Sequence, residues 1–238
     1  MRVQSFSERT SGSPAPAALT KMNEIENFIE KLAKYPTDST VINIYDYNNE
    51  DNEKRKNNLK LYLEKMKNLS PKVILIGEAP GFRGCRFTGI PFTSEYLLSN
   101  NLFFGNSGFE TTKENDKPKK EKTATIMWEV LDSLNQYPLL WNSFPFHPHN
   151  QENPTENREP TTKECKCALD FLNYLFKLFP NINKIGAVGR KAEGLLKNNR
   201  NYEYIPHPSH CKKEHFIETL KGFFEFNLKC HQKNPTLP

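Results

Sequence analysis

Four consecutive β-branched or leucine residues, Val73-Ile74-Leu75-Ile76, run without a polar interruption and stop at Gly77-Glu78-Ala79-Pro80-Gly81. A short apolar run bounded by turn residues marks a strand buried on both faces, and such strands belong to sheets covered by helices on either side. The chain beyond it repeats the arrangement. Leu139-Leu140-Trp141-Asn142, Lys184-Ile185-Gly186-Ala187-Val188 and Tyr202 to Ile205 are further short strand-like runs. Between and after them Ile126, Met127, Val130, Leu131 and Leu134 repeat at helical spacing, as do Ala168, Leu172, Leu175, Phe176 and Phe179, and finally Phe216, Leu220, Phe223 and Phe224. Gly189-Arg190-Lys191-Ala192 turns from a strand into another helix. Strands alternating with helices predict an α/β fold, a three-layer α/β/α sandwich around a central, mostly parallel four-stranded sheet.

The rest of the chain frames that core. Residues 1–20, with Ser11-Gly12-Ser13-Pro14-Ala15-Pro16, have the composition of a disordered tail, and residues 21–238 are expected to form one domain. A helix is expected from Met22 to about Leu32, and Val41 to Tyr45 is either a short strand or an extended arm. Residues 51–69 predict a highly charged helix whose apolar positions only loosely fit one face, which places it on the surface. A short helix from Ser94 to Leu98 is expected to be capped by Thr93 or Ser94. The charge run from Lys113 to Lys122 reads as a solvated loop, with phosphate contact as the alternative.

A chain of 238 residues suits a single domain with a substantial core. Its net charge of +5 permits a polyanionic partner without demanding one. No apolar run approaches membrane-spanning length and residues 1–20 lack a secretory apolar core, so the expected location is cytoplasmic or nucleoid-associated, with no membrane partner. The cysteines at 85, 165, 167, 211 and 230 are odd in number and contain no Cys-x-x-Cys pair, which is simplest as free thiols in a reducing compartment.

In an open parallel sheet, ligands bind beyond the carboxyl ends of the strands. Three of these ends deliver Glu78, Asn142 and His207, and the loop after the first adds Arg83, Arg86 and Phe92. Taken singly each has a bland explanation: Glu78 solvated, Asn142 a turn former, His207 structural between its prolines. Together they are the acid, amide and imidazole needed to position a water, read a base edge and stabilise a departing anion.

Gly77-Glu78-Ala79-Pro80-Gly81 resembles the first signature of the uracil-DNA glycosylase superfamily, close to its form in the thermostable, iron–sulfur-containing branch. Leu139 to Asn142 resembles the motif in which an Asn at a strand end recognises uracil, and His207-Pro208-Ser209 is similar to the third motif. Phe92 stands where the family stacks an aromatic on the flipped base, and Gly186 to Ala192 resembles the strand-to-helix segment between the second and third motifs. The likeness spans roughly residues 70–230.

What it implies is a monofunctional repair hydrolase that cleaves the N-glycosidic bond of uracil, or another deaminated base, extruded from DNA. In that reading Glu78 and His207 are catalytic, and Gly77, Ala79, Phe92 and Asn142 bind the base. Gly81, Arg83, Arg86, Ser209, His210, Lys212 and Lys213 meet the DNA backbone or enter the base stack. The expected partner is DNA and the expected state a monomer. The chain departs from the pattern in three places. It lacks the early Cys-x-x-Cys, so no cluster and no cofactor are expected; it has Ala79 where other branches carry Asp or Asn; and its wedge segment, His210-Cys211-Lys212-Lys213, is not apolar. Ala79 and that wedge motivate an alternative, a non-catalytic uracil- or nucleic-acid-binding protein on the same fold. A third reading, a metal-dependent hydrolase, rests on His207-x-x-His210-Cys211-x-x-x-His215 and His147-Pro148-His149.

Overall fold

The computed structural model describes residues 23–231 apart from 106, 113 and 198–200, with side chains to residue 225, so the expected tail over 1–20 lies outside the described residues. Helix α1 (Glu24–Ala33) opens with a reciprocal cap between Asn23 and Glu26. Strand β1 (Val41–Ile42) and helix α2 (Asp51–Leu69) lead into β2 (Val73–Gly77). Two short helices follow, α3 (Cys85–Thr88) and α4 (Glu95–Asn100), then α5 (Lys122–Leu134) and β3 (Leu139–Asn142). The chain continues through β4 (His147–Pro148), α6 (Thr162–Leu178), β5 (Lys184–Val188), α7 (Arg190–Leu196), β6 (Glu203–Ile205) and α8 (Lys213–His231).

The main sheet has the order β3-β2-β5-β6 and all its pairings are parallel. Every residue of β2 is buried, as its unbroken apolar run requires of a central strand. Helices flank the sheet: α1 packs with α2 and α6, whereas α5 packs with α8. Phe28 of α1 meets Trp141 of β3 at 5.5 Å between ring centroids, and Phe171 of α6 at 6.3 Å. A β-carbon on Gly186 would lie 2.6 Å from Leu75 Cδ2, so this glycine lets β5 and β2 close with Phe223 of α8 packed on top. Val41 to Tyr45 is in part a strand, because β1 pairs antiparallel with β4 in a separate two-stranded sheet.

One expectation for these segments is corrected and two are refined. Helix α2 is not a surface helix: Asn52, Arg55, Asn58, Leu59, Tyr62, Leu63 and Met66 are all buried. Its polar residues are inside because they hold a loop. Asn58 donates to the carbonyls of Thr88 and Glu110 and accepts from Glu110 N, and Arg55 pairs with Glu114. Ser94 occupies the capping position of α4 without a side-chain cap bond, while the Thr93 hydroxyl donates to Pro91 O. The charge run is anchored rather than simply solvated. Lys119 N and Asn115 donate to the buried Glu95 carboxylate, Tyr96 N donates to Lys119 O, and Glu121 caps α5 through Thr123 N and Ala124 N.

Candidate functional site

The parallel register sets Gly77 directly opposite Asn142 at the carboxyl ends of β2 and β3. Beyond the strands Ser143 donates to Gly77 O from both its backbone nitrogen and its hydroxyl, each at 2.8 Å, and Phe144 N donates to Glu78 O at 2.9 Å. The two chains therefore stay locked together one step past the sheet. A β-carbon on Gly77 would lie 2.5 Å from Phe92 Cζ and 2.9 Å from Asn142 Oδ1. The missing side chain is what allows the phenyl ring and the amide to share a wall. Phe92 has a φ of 52°, a conformation that costs a non-glycine residue of order 1–3 kcal/mol and persists only where surroundings impose it. Trp128 of α5 supplies part of that constraint by donating from Nε1 to Phe92 O at 3.0 Å. The Asn142 amide nitrogen has the buried Cys85 thiol as a weak partner at 4.0 Å.

His207 follows β6 and packs on Gly189 at the end of β5, where a β-carbon would sit 3.3 Å from His207 Cβ; Gly189 itself has a φ of 87°. Ser209 N donates to His207 Nδ1 at 3.4 Å and the Ser209 hydroxyl lies 2.8 Å from the same nitrogen. A backbone N–H can only donate, so Nδ1 accepts and the ring proton resides on Nε2. Burial, then the neighbouring His210, hold the imidazole below its ordinary pKa, with Glu121 opposing. His207 is thus a neutral donor at neutral pH. Burial raises the Glu78 carboxyl above the usual carboxylate range, Lys191 opposes that rise and Glu159 adds to it.

Gly77, Glu78, Ala79, Phe92, Asn142 and His207 line one cleft of about 840 Å³, within the range of small-molecule sites, and Gly81 and Arg83 lie on its rim. The other residues expected at DNA do not line it. Arg86 is a correction: it is turned inward, paired with Glu114 at 3.2 Å, with its guanidinium 4.8 Å from the Phe82 ring centre and 4.7 Å from that of Phe87. Its stacked position consolidates the loop, while its Nε and Nη1 stay buried with no hydrogen-bond partner among the described residues. Ser209 stands behind His207 as its partner, His210 is exposed with its ring 5.1 Å from that of His207, and Lys212 and Lys213 are exposed. Lys213 pairs with Glu129 at 2.6 Å.

Sequence reasoning missed the residues that hold the first loop. Asn157 accepts from Phe82 N at 2.9 Å and lines the cleft, and nothing in the polar run around it distinguishes it from its neighbours. His147 donates from Nδ1 to Pro80 O at 2.7 Å, and burial pushes its pKa down. Its place between a strand run and prolines is the available signal, and that pattern does not separate a loop tie from the metal ligand of the third reading. Among the described residues no three His, Cys, Asp or Glu side chains come together as a metal site requires. Glu121, Lys120 and Lys122 also reach the cleft from the charge run.

A wholly parallel sheet whose strand ends present an acid, an amide and a neutral imidazole to one cleft defines an α/β protein with a strand-end ligand site. The family model of the uracil DNA glycosylase superfamily matches residues 65–227, and the chain belongs to that superfamily, which makes it a glycosylase-type hydrolase of DNA. The crystal structure of wild-type SMUG2 from Pedobacter heparinus superposes with a TM-score of 0.64, covering 88% of this chain and 100% of that one at 13% identity, a likeness that speaks for the fold. No curated protein matches the chain significantly in sequence. No helix among the described residues is long and apolar enough to cross a membrane.

Proposed function

We propose that the chain is a monofunctional DNA glycosylase that hydrolyses the N-glycosidic bond of uracil, or another deaminated base, extruded from DNA. The observation that carries this reading is the convergence of Glu78, Asn142, Phe92 and His207 on one cleft. A base inside a duplex is out of reach, so the nucleotide leaves the stack and its ring lies on Phe92. The Asn142 amide donates to uracil O4 and accepts from N3–H. Cytosine reverses that pattern and leaves buried polar groups unpaired.

As the bond between C1′ and N1 breaks, its electron pair passes to the base and is delocalised onto O2. His207 donates to that oxygen from Nε2; Ser209 on Nδ1 keeps the proton on the correct nitrogen. Glu78, ionised, orients a water and takes its proton as the water oxygen joins C1′, and its charge favours the cationic sugar. Water supplies the nucleophile, so Ala79 in place of Asp or Asn leaves Glu78 as the acid on that face. Arg83 at the rim, with His210, Lys212 and Lys213 on the third-motif loop, face the DNA strand, while Ser209 stays on the His207 ring, and a monomer suffices.

The test is release of base from uracil-containing single- and double-stranded oligonucleotides, beside Glu78→Gln and Asn142→Ala. Abasic product is expected from the unaltered chain, with Glu78→Gln slower by about 10²–10⁴-fold. Folded protein that yields no abasic product at any pH or salt concentration rejects the reading. Tight binding of the same DNA that does not depend on Glu78 then favours the non-catalytic alternative.

A further inference from the structure

Glu78 does not border a single space. With Ala79 and Gly81 it also lines a second cavity of about 450 Å³, whose other walls include Pro148, Asn157, Arg158, Glu159 and Lys191. The motif loop therefore borders both the catalytic cleft and an adjoining small charged chamber.

The two cations of that chamber differ in how far they are committed. Arg158 holds both Glu164 oxygens, at 2.9 and 2.7 Å, and bonds Thr40 as well. Lys191, in the first turn of α7, pairs with Glu159 alone among its described contacts. The side chains of that pair are 51% and 66% exposed, so the tie to Glu159 is weak, and Lys191 shares the chamber wall with a second carboxylate. Glu78 is that carboxylate: its charge and that of Lys191 act on each other.

We propose that Lys191 is a positioning residue that sets the charge on Glu78 from the chamber beside the catalytic cleft, with Glu159 competing for its ammonium. This rests on Glu78 being the water-orienting acid proposed above. Burial works against the anion that such a role requires, and Lys191 counters burial, while Glu159 both competes for Lys191 and repels Glu78. The other groups near Glu78 do not replace Lys191. Cys165 of α6 is buried with its thiol pushed up to about 12 and stays neutral; His207 on the cleft is neutral; Arg83 is exposed; Lys120, Glu121, Lys122 and Glu129 line the cleft but not the chamber.

The signs separate a charge effect from a structural one. A carboxylate needed as an anion gives a rate that falls as pH drops through its pKa. Lys191→Met removes the attraction, raises the Glu78 pKa and moves the acidic limb of the single-turnover rate to higher pH. Glu159→Gln removes the repulsion, frees Lys191 and moves the limb to lower pH. Each shift is expected to be about half a pH unit. Lys191→Arg restores the limb. Loss of the ion pair as a mere tether alters both variants in the same direction, and that result, or an unmoved limb, overturns the inference while leaving glycosylase activity intact. The Glu78 carboxyl carbon, followed by ¹³C NMR with Glu78→Gln as the assignment control, reports the same shifts without turnover. A chain that releases no base at any pH yet shows the opposed NMR shifts sinks the functional reading and keeps the Lys191 role.

Discussion

The two loops that bound the cleft are held in opposite ways. The loop from Pro80 to Phe92 is tied from outside by five residues on five different segments. His147 donates to Pro80 O at 2.7 Å, Asn157 accepts from Phe82 N at 2.9 Å, Asn58 donates to Thr88 O at 3.0 Å, Tyr45 to Gly89 O at 2.8 Å and Trp128 to Phe92 O at 3.0 Å. The loop from His207 to Lys213 is tied mainly to itself, by Ser209 on the His207 ring and by His210 N on His207 O at 2.9 Å. Its long-range polar link among the described residues is the exposed pair between Lys213 and Glu129. A wall that must hold a base within a fraction of an ångström benefits from such over-determination, whereas a rim that meets a flexible strand benefits from freedom. On the proposed function, the contrast fits a fixed base-holding wall in the first loop and, beyond the catalytic His207, a looser strand-facing rim in the second.

The largest effect expected from breaking this contrast is at Gly77. In Gly77→Ala the new methyl group meets Phe92 Cζ at 2.5 Å and Asn142 Oδ1 at 2.9 Å, and neither can retreat easily, since Trp128 holds one backbone and β3 the other. Displacement on that scale is expected to slow base release by about 10²-fold or more, with circular dichroism unchanged. An alanine variant with full activity removes the case for a tightly determined wall.

Next in size is a stability effect at the outer ties. Tyr45 is fully buried and its hydroxyl satisfies Gly89 O, so Tyr45→Phe leaves a buried carbonyl without its partner. A loss of about 1–2 kcal/mol is expected in urea denaturation. The corresponding change on the rim, Ser209→Ala, leaves a more exposed site and sharpens the comparison: the backbone N–H still fixes the His207 tautomer, so the effect belongs in the rate, through loss of the 2.8 Å hydroxyl contact that orients the ring, and little of it in stability.

Local pattern was enough for the sheet, because β2, β3 and β5 announce themselves as short apolar runs bounded by Gly or Asn; Glu78 and Asn142 follow from where β2 and β3 stop, and His207 from the end of the shorter β6. What local pattern does not carry is long-range polar satisfaction. The α2 sequence has a weak apolar face, and its true destination is set by Asn58 and Arg55 reaching carbonyls and a carboxylate thirty or more residues away. Arg86 beside the pocket reads as a phosphate contact, yet Phe82, Phe87 and Glu114 enclose it. In both cases a charged residue is inside because a partner distant in the chain compensates it, and a window of ten residues contains no trace of that partner.

The smallest expected effect lies at the rim, and there the sign matters more than the size. Lys213 and Glu129 are each about half exposed, so Lys213→Ala is expected to change folding stability by less than about 0.5 kcal/mol. If the lysine exchanges Glu129 for a phosphate when DNA arrives, the same variant lowers the salt dependence of binding by about one unit of slope. Glu129→Gln then acts the other way, because a lysine with no carboxylate to leave is free for the phosphate, and binding tightens at low salt. Fluorescence anisotropy with a labelled uracil-containing strand across a salt series reads both. Weakening in both variants makes the pair a structural strut, and the rim loop is then as fixed as the wall it faces.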